Sequence, residues 1–152
     1  MRKNRTGRQR GFTVTELLIV LTILGILMGI AVPSYTEHLR KGKRAQAHAR
    51  LSQLAQLMER SYSDNGTYNT TLPALLGLAA GTTIYSGSNN EAGSAYTITF
   101  VGTPDTATFT LLATPSNWTD AACGPLTLTN AGIKGTRSDG STNDSPAKPG
   151  CW

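Results

Sequence analysis

The sequence predicts an α+β fold: one long N-terminal helix whose C-terminal half packs on a small antiparallel sheet of about four strands, with a C-terminal loop bounded by two cysteines. Three observations predict it. An uncharged apolar run, Leu17 to Thr36, passes without a break into an amphipathic stretch. Three later segments alternate bulky and threonine positions, and the two cysteines, Cys123 and Cys151, both lie near the C-terminus. A chain of 152 residues has room for one domain with a modest core and not for two ordinary ones.

The first half of the helix has the length of a membrane span. Twenty residues at a rise of about 1.5 Å cover about 30 Å, the thickness of a hydrocarbon core. Ahead of it stand five cations, Arg2, Lys3, Arg5, Arg8 and Arg10, with no acid before Gly11. The positive-inside rule keeps that cluster cytoplasmic and sends everything after Tyr35 to the far side. From residue 12 onward 14 − 5 = 9 cations face 9 acids, so the formal charge of +5 resides in the extreme N-terminus. That balance gives no global basic footprint for nucleic acid. A local cluster, Arg40, Lys41, Lys43, Arg44 and Arg50, reads either as a solvated helix face or as a surface for nucleic acid or anionic lipid, and the solvated face is the simpler reading.

Two cleavage sites fit this N-terminus. A conventional signal peptidase cuts behind the apolar run at small residues, which "GIAVPSY" supplies after Ala31. The pair Gly11-Phe12 instead sits at the front, where a cut removes the charges and leaves the anchor attached. Glu16 separates the two. A carboxylate in a spanning segment costs about 2.5–3.5 kcal/mol at mid-membrane, less near the interface, and calls for a partner. A cut after Gly11 creates one, the new α-amine of Phe12. Opposite charges about 4 Å apart are worth about 4 kcal/mol at an effective dielectric near 20, enough to offset that burial. The residues alone leave open whether the amine belongs to the same chain or to a neighbour.

Beyond Pro33 apolar residues recur at Leu39, Ala45, Ala47, Leu51, Leu54, Leu57/Met58 and Tyr62, with Arg40, Lys43, Arg44, Arg50, Gln53 and Arg60 between them, and from Ala47 onward this is helical spacing with one buried stripe. "SDNGTY" at 63–68 ends the helix, because Asn-Gly is a turn signal and Gly66 can take a left-handed cap. "LPALLGLAA" (72–80) is a candidate short helix in an otherwise Thr-, Gly-, Ser- and Asn-rich stretch. Strands follow at "AYTITFV" (95–101), "ATFTLLAT" (107–114) and "PLTLTN" (125–130), with "GTPDT" (102–106) as a hairpin turn and a last short strand around Ile133. The tail, "RSDGSTNDSPAKPGCW", is poor in apolar residues. Two cysteines without nearby histidines suit a disulfide in an oxidising compartment better than zinc or free thiols. Closing a loop of about 29 residues contributes at most about 3.6 kcal/mol in the entropic account.

The sequence carries no phosphate-cradling loop, zinc-protease helix or nucleophile elbow, so it is not read as an enzyme and no cofactor or metal is expected. His38 and His48 are ten residues apart, too far for one metal, and read as two surface imidazoles. Trp118 and Trp152 read as local packing or loop anchors. The N-x-[ST] triplets at Asn4, Asn65, Asn69, Asn117 and Asn143 carry little weight in so Thr- and Ser-rich a chain.

The stretch "RGFTVTELLIVLTILGILMGIAVPSY" resembles the N-terminal signature of type IV prepilins and their relatives: a basic leader ending in Gly, then Phe, then Glu at the fifth mature position, then the apolar helix. The resemblance covers residues 8–35 and implies a pilin fold. It implies a cleaved leader at 1–11, a transmembrane and filament-core helix at 12–35 and a periplasmic, then extracellular, globular domain at 36–152. By the same resemblance a prepilin peptidase cuts between Gly11 and Phe12 and N-methylates Phe12, Glu16 pairs with the Phe12 amine of an adjacent subunit, and Pro33 bends the helix. The tail "CGPLTLTNAGIKG…CW" is similar to the end of PilE-type minor pilins, with Cys123 and Cys151 bounding the loop. The implied partners are other pilin subunits, the peptidase, the inner-membrane assembly platform and, before assembly, the membrane itself. The implied role is a structural subunit, of the minor kind, in a filament for motility, adhesion or DNA uptake. A pseudopilin of type II secretion and a DNA-binding minor pilin of a competence pilus are the alternatives, the first disfavoured by the disulfide-bounded tail.

Overall fold

Apolar and amphipathic stretches join in a single helix in the computed structural model, which describes residues 11–68, 70–87, 90, 92–137 and 145–152. The leader residues 1–10, Asn69, Asn143 and the middle of the tail (138–144) lie outside the described residues. Helix α1 runs Val14–Asn65, with Pro33 inside it. It contributes its residues up to His38 to an N-terminal unit and those from Leu39 onward to a C-terminal unit that holds the rest of the fold. The Asn-Gly signal acts as expected: Gly66 takes a left-handed φ of 71° and donates its N–H to the Tyr62 carbonyl at 2.7 Å.

The C-terminal unit is built on the stripe that the helical period selects. Ala47, Leu51, Leu54 and Met58 are fully buried, spaced so that one face of α1 meets the sheet. Facing them are alternate residues of three strands, β2 (Tyr96–Phe100), β3 (Thr110–Pro115) and β4 (Leu126–Thr129). Tyr96 and Ile98, Leu111 and Ala113, and Leu126 and Leu128 point inward into one cluster with the helix stripe. Each large aliphatic side chain buried there contributes about 2 kcal/mol of transfer free energy.

Among the described residues the sheet has six antiparallel strands in simple sequential order, β1 (Ile84–Tyr85) through β5 (Lys134–Thr136) to β6 (Ser145–Pro146). Its four longest strands, β2 to β5, match the expected sheet. The registers pair Ile98 with Ala113 and Leu111 with Leu128, which keeps the apolar positions on one face. Three details differ from the sequence reading. β1 and β6 are two-residue edge strands within Ser-, Thr- and Gly-rich segments, and Ile133 lies just ahead of β5 with 64% of its surface exposed rather than within a strand. The short helix α2 occupies only Leu72–Leu75 of the nine-residue apolar patch, because Gly77 turns left-handed at φ 66° and ends it. Cys123 and Cys151 are joined, with Cα atoms 5.6 Å apart, and both belong to the core cluster.

Candidate functional site

Functional features fall in two places, one in each unit. In the N-terminal unit every residue from Gly11 to Thr36 is exposed, and the large apolar side chains among them show from 43% (Leu24) to 87% (Phe12) of their surface. A continuous apolar helix surface of this extent needs lipid or neighbouring chains around it.

Thr13 organises the start of this helix. Its backbone N–H donates to Glu16 Oε2 at 2.9 Å and its hydroxyl donates to the same oxygen at 2.8 Å. In return the Glu16 N–H donates to Thr13 Oγ1 at 3.3 Å. This is a capping box, in which Thr and Glu three residues apart satisfy two otherwise orphaned helix donors. The sequence reading looked for a partner to Glu16 only in the Phe12 amine and passed over Thr13. The T-x-x-E spacing was the signal that could have found it. Both hydrogen bonds fall on Oε2, so Thr13 fixes the direction of the carboxylate.

In the C-terminal unit a buried polar network ties α1 to the segment leading into the disulfide. Arg44 clamps Asp120 through Nε and Nη2, at 2.8 and 2.7 Å. Tyr96 donates its hydroxyl to Asp120 Oδ2 at 3.0 Å, and the Cys123 N–H donates to Oδ1 at 3.2 Å. Burial raises the tendency of Asp120 to hold a proton. The hydrogen bonds from Arg44, Cys123 and Tyr96 outweigh it and leave the carboxyl below its ordinary value. Tyr96 moves the other way, raised first by burial and then by the neighbouring Asp120 charge. Arg44 therefore leaves the solvated basic face in which the sequence placed it.

The end of the chain closes on the same helix. Trp152 stacks on His48 with ring centroids 4.4 Å apart and planes 8° from parallel, and it donates its indole N–H to the Gly135 carbonyl at 2.8 Å. The Lys134 ammonium lies 5.4 Å from the indole centroid. His48 is thus not the surface imidazole expected. Its Nε2 is buried without a hydrogen-bond partner, and burial pushes the imidazole below its ordinary value, opposed by a hydrogen bond with the Cys151 backbone. His38 is exposed and far along the chain, and among the described residues no three His, Cys, Asp or Glu side chains gather as metal ligands. Trp118 anchors a loop as read, donating to the Ala95 carbonyl at 2.7 Å, with the Lys43 ammonium 4.5 Å from its ring centroid. The two line a groove of about 510 Å³ together with Gln46, Ser94, Ser116 and Asn117.

With this geometry in hand, the likeness to known proteins is specific. The family described as "Type IV minor pilin ComP, DNA uptake sequence receptor" matches residues 33–127, well over half of the chain. The chain belongs to the type IV pilin superfamily. The pilin also matches the prokaryotic N-terminal methylation motif over residues 6–32. It is 32% identical to the fimbrial protein EcpC of Eikenella corrodens, over 88% of its own length and 78% of that protein. It is 30% identical to the type II secretion system core protein G of Pectobacterium carotovorum subsp. carotovorum, over 59% of its own length and 57% of that one. Among solved structures, a type IV pilin from Shewanella oneidensis aligns over 74% of this chain and 96% of the other, at 28% identity and a TM-score of 0.42. Members of the superfamily are structural, non-catalytic subunits, and this pilin is one of them. Among the described residues one helix is long and apolar enough to cross a membrane, and it lies near the N-terminus, consistent with anchoring before assembly.

Proposed function

We propose that this pilin is a minor subunit of a type IV pilus. It enters the inner membrane as a prepilin with its C-terminus periplasmic, is cut between Gly11 and Phe12 and methylated at Phe12, and is drawn by the assembly platform into an extracellular filament. The observation that carries this reading is the wholly exposed apolar helix surface with a single oriented carboxylate at its start. In a filament the neighbours' helices would cover that surface, and Glu16, held by Thr13, would receive the Phe12 amine of the next subunit. Pro33 would supply a bend within the helix. Head-to-tail contacts of this kind propagate without closing.

Intact-mass measurement on sheared surface material should show a chain beginning at methylated Phe12. A retained leader, or a chain beginning after Ala31, would refute the processing step. Glu16→Ala should be processed normally and yet leave surface filaments at least ten-fold depleted of the subunit, since about 1.4 kcal/mol of lost pairing already corresponds to a factor of ten. Normal incorporation would sink the role given to Glu16. The match to a secretion core protein keeps the pseudopilin alternative in view. The disulfide that ties Cys123 to Cys151 favours the pilus branch.

A second reading has its own support. The family match over residues 33–127 carries the description of a DNA receptor, and the groove beside Lys43 offers a cation, an indole and small polar groups. On this reading the filament subunit also binds DNA. Gel-shift titration of the processed full-length chain in detergent against duplex DNA should then show affinity falling steeply with salt and weakened in Lys43→Gln. A flat salt response would count against it.

A further inference from the structure

The outermost strands of the sheet, β1 and β6, each carry a feature that resists further pairing. β6 holds Pro146, which has no N–H to offer a neighbour. β1 is treated differently. Ile84 pairs with Ile98 of β2, and the Ser86 N–H donates to the Tyr96 carbonyl at 2.9 Å, so Ile84 and Ser86 direct their backbone groups into the sheet. Thr83 and Tyr85 alternate with them and turn theirs to the open side.

Asn90 meets that open side. Its Oδ1 accepts the Tyr85 N–H at 2.6 Å, and its Nδ2 donates to the Thr83 carbonyl at 2.8 Å. One carboxamide thus engages a donor and an acceptor two residues apart, which are the groups an added strand would take. The local backbone brings it there: Asn90 has a left-handed φ of 55°, and its N–H donates to the Gly87 carbonyl at 3.1 Å. Asparagine tolerates that region and carries a side chain with the donor and acceptor of a peptide group.

With the carboxamide removed, the edge fits a second copy of itself. Two β1 strands related by a two-fold axis at Ile84 are self-complementary, because the Tyr85 N–H of each reaches the Thr83 carbonyl of the other. We propose that β1 is a latent pairing edge for a second copy of this chain and that Asn90 is the plug that keeps it shut. Subunits crowded together in a filament are thereby kept from joining sheet to sheet. The inference takes this setting from the filament reading above, but the edge can be tested on β1 alone, so the two fail separately.

The test follows deuterium exchange of the Tyr85 amide in the processed full-length chain in detergent, over a hundred-fold range of protein concentration, with dimer counted by native mass spectrometry. In the unmodified chain Tyr85 should be protected equally at every concentration. Asn90→Gly keeps the left-handed backbone and deletes the plug. At low concentration its Tyr85 amide should exchange about five-fold faster, the factor that a hydrogen bond of about 1 kcal/mol carries. At high concentration protection should return as dimer appears. Adding Thr83→Lys, which sets like charges near the two-fold axis, should abolish both the returned protection and the dimer. The buried Leu111 amide of β3 should exchange alike in all variants, and acceleration there would show that Asn90 holds more than the edge and overturn its assignment as a plug. Unchanged Tyr85 exchange in Asn90→Gly would overturn the plug. Faster exchange at every concentration would overturn the pairing edge, as would protection or dimer that survives Thr83→Lys.

Discussion

The two halves of α1 solve the same problem in opposite ways. Up to Thr36 the helix is apolar on every side and exposed on every side, whereas in its second half a stripe of Ala47, Leu51, Leu54 and Met58 is buried. A helix that is apolar all round must find its partners outside the chain, in lipid or in other subunits, while one with a single stripe can be satisfied by its own sheet. The polar residues follow the same division. Among the described residues Glu16 is held by Thr13, three residues away, but Arg44 is closed by a carboxylate 76 residues later. The first half is specified locally and completed by assembly. The second is completed by the fold itself.

The largest effect that would break the contrast comes from Asp120. Asp120→Ala removes the carboxylate that the Arg44 guanidinium, with its side chain 5% exposed, clamps, and the acceptor for Tyr96 and for the Cys123 N–H. Breaking a buried pair from one side costs about 3–5 kcal/mol. Chemical denaturation of the full chain in detergent should show that loss. A change under about 1 kcal/mol would mean that the network does not hold the disulfide-bounded segment on α1.

How much of this could be read beforehand depended on range. The helix end at Gly66 and the alternation of β2 to β4 are local patterns, and both were legible. The two-residue strands β1 and β6 were not, because two residues carry no period and their pairing is set by β2 and β5. Arg44 looked like one more cation on a basic face, since nothing near it in sequence announces Asp120. His48 was missed for the same reason, its stacking partner lying at Trp152. Thr13 is different. Its box with Glu16 is local and legible, and it was hidden only by attention to the charge.

A smaller effect sharpens the comparison directly. Leu51→Ala removes a fully buried side chain and should cost about 2–5 kcal/mol in the unfolding of the C-terminal unit. Leu21→Ala, at a position 56% exposed on the same helix, should leave that unfolding unchanged and act only on filament incorporation. Equal thermal shifts in the two variants would contradict the division of α1 into a self-satisfied half and a partner-dependent half.

The smallest effect concerns pH. Folding lowers the His48 imidazole below its ordinary value of 6.5, chiefly because it is buried, with Lys134 and Arg44 acting in the same direction. Above 6.5 the ring is neutral in folded and unfolded chains alike, so its contribution is fully present there. As pH falls through 6.5 the unfolded chain takes up the proton first, and stability declines until the lower folded value is passed. The extra proton would have to sit on Nε2, which is buried and partnerless, although the stacked indole offsets part of that cost by attracting a cation. His48→Phe keeps an aromatic ring against Trp152 and removes the titration. Denaturation midpoints of the full chain measured between about pH 7 and pH 5 should fall in the unmodified protein and fall less in His48→Phe. Identical slopes would show that the Trp152 clasp is indifferent to protonation of His48.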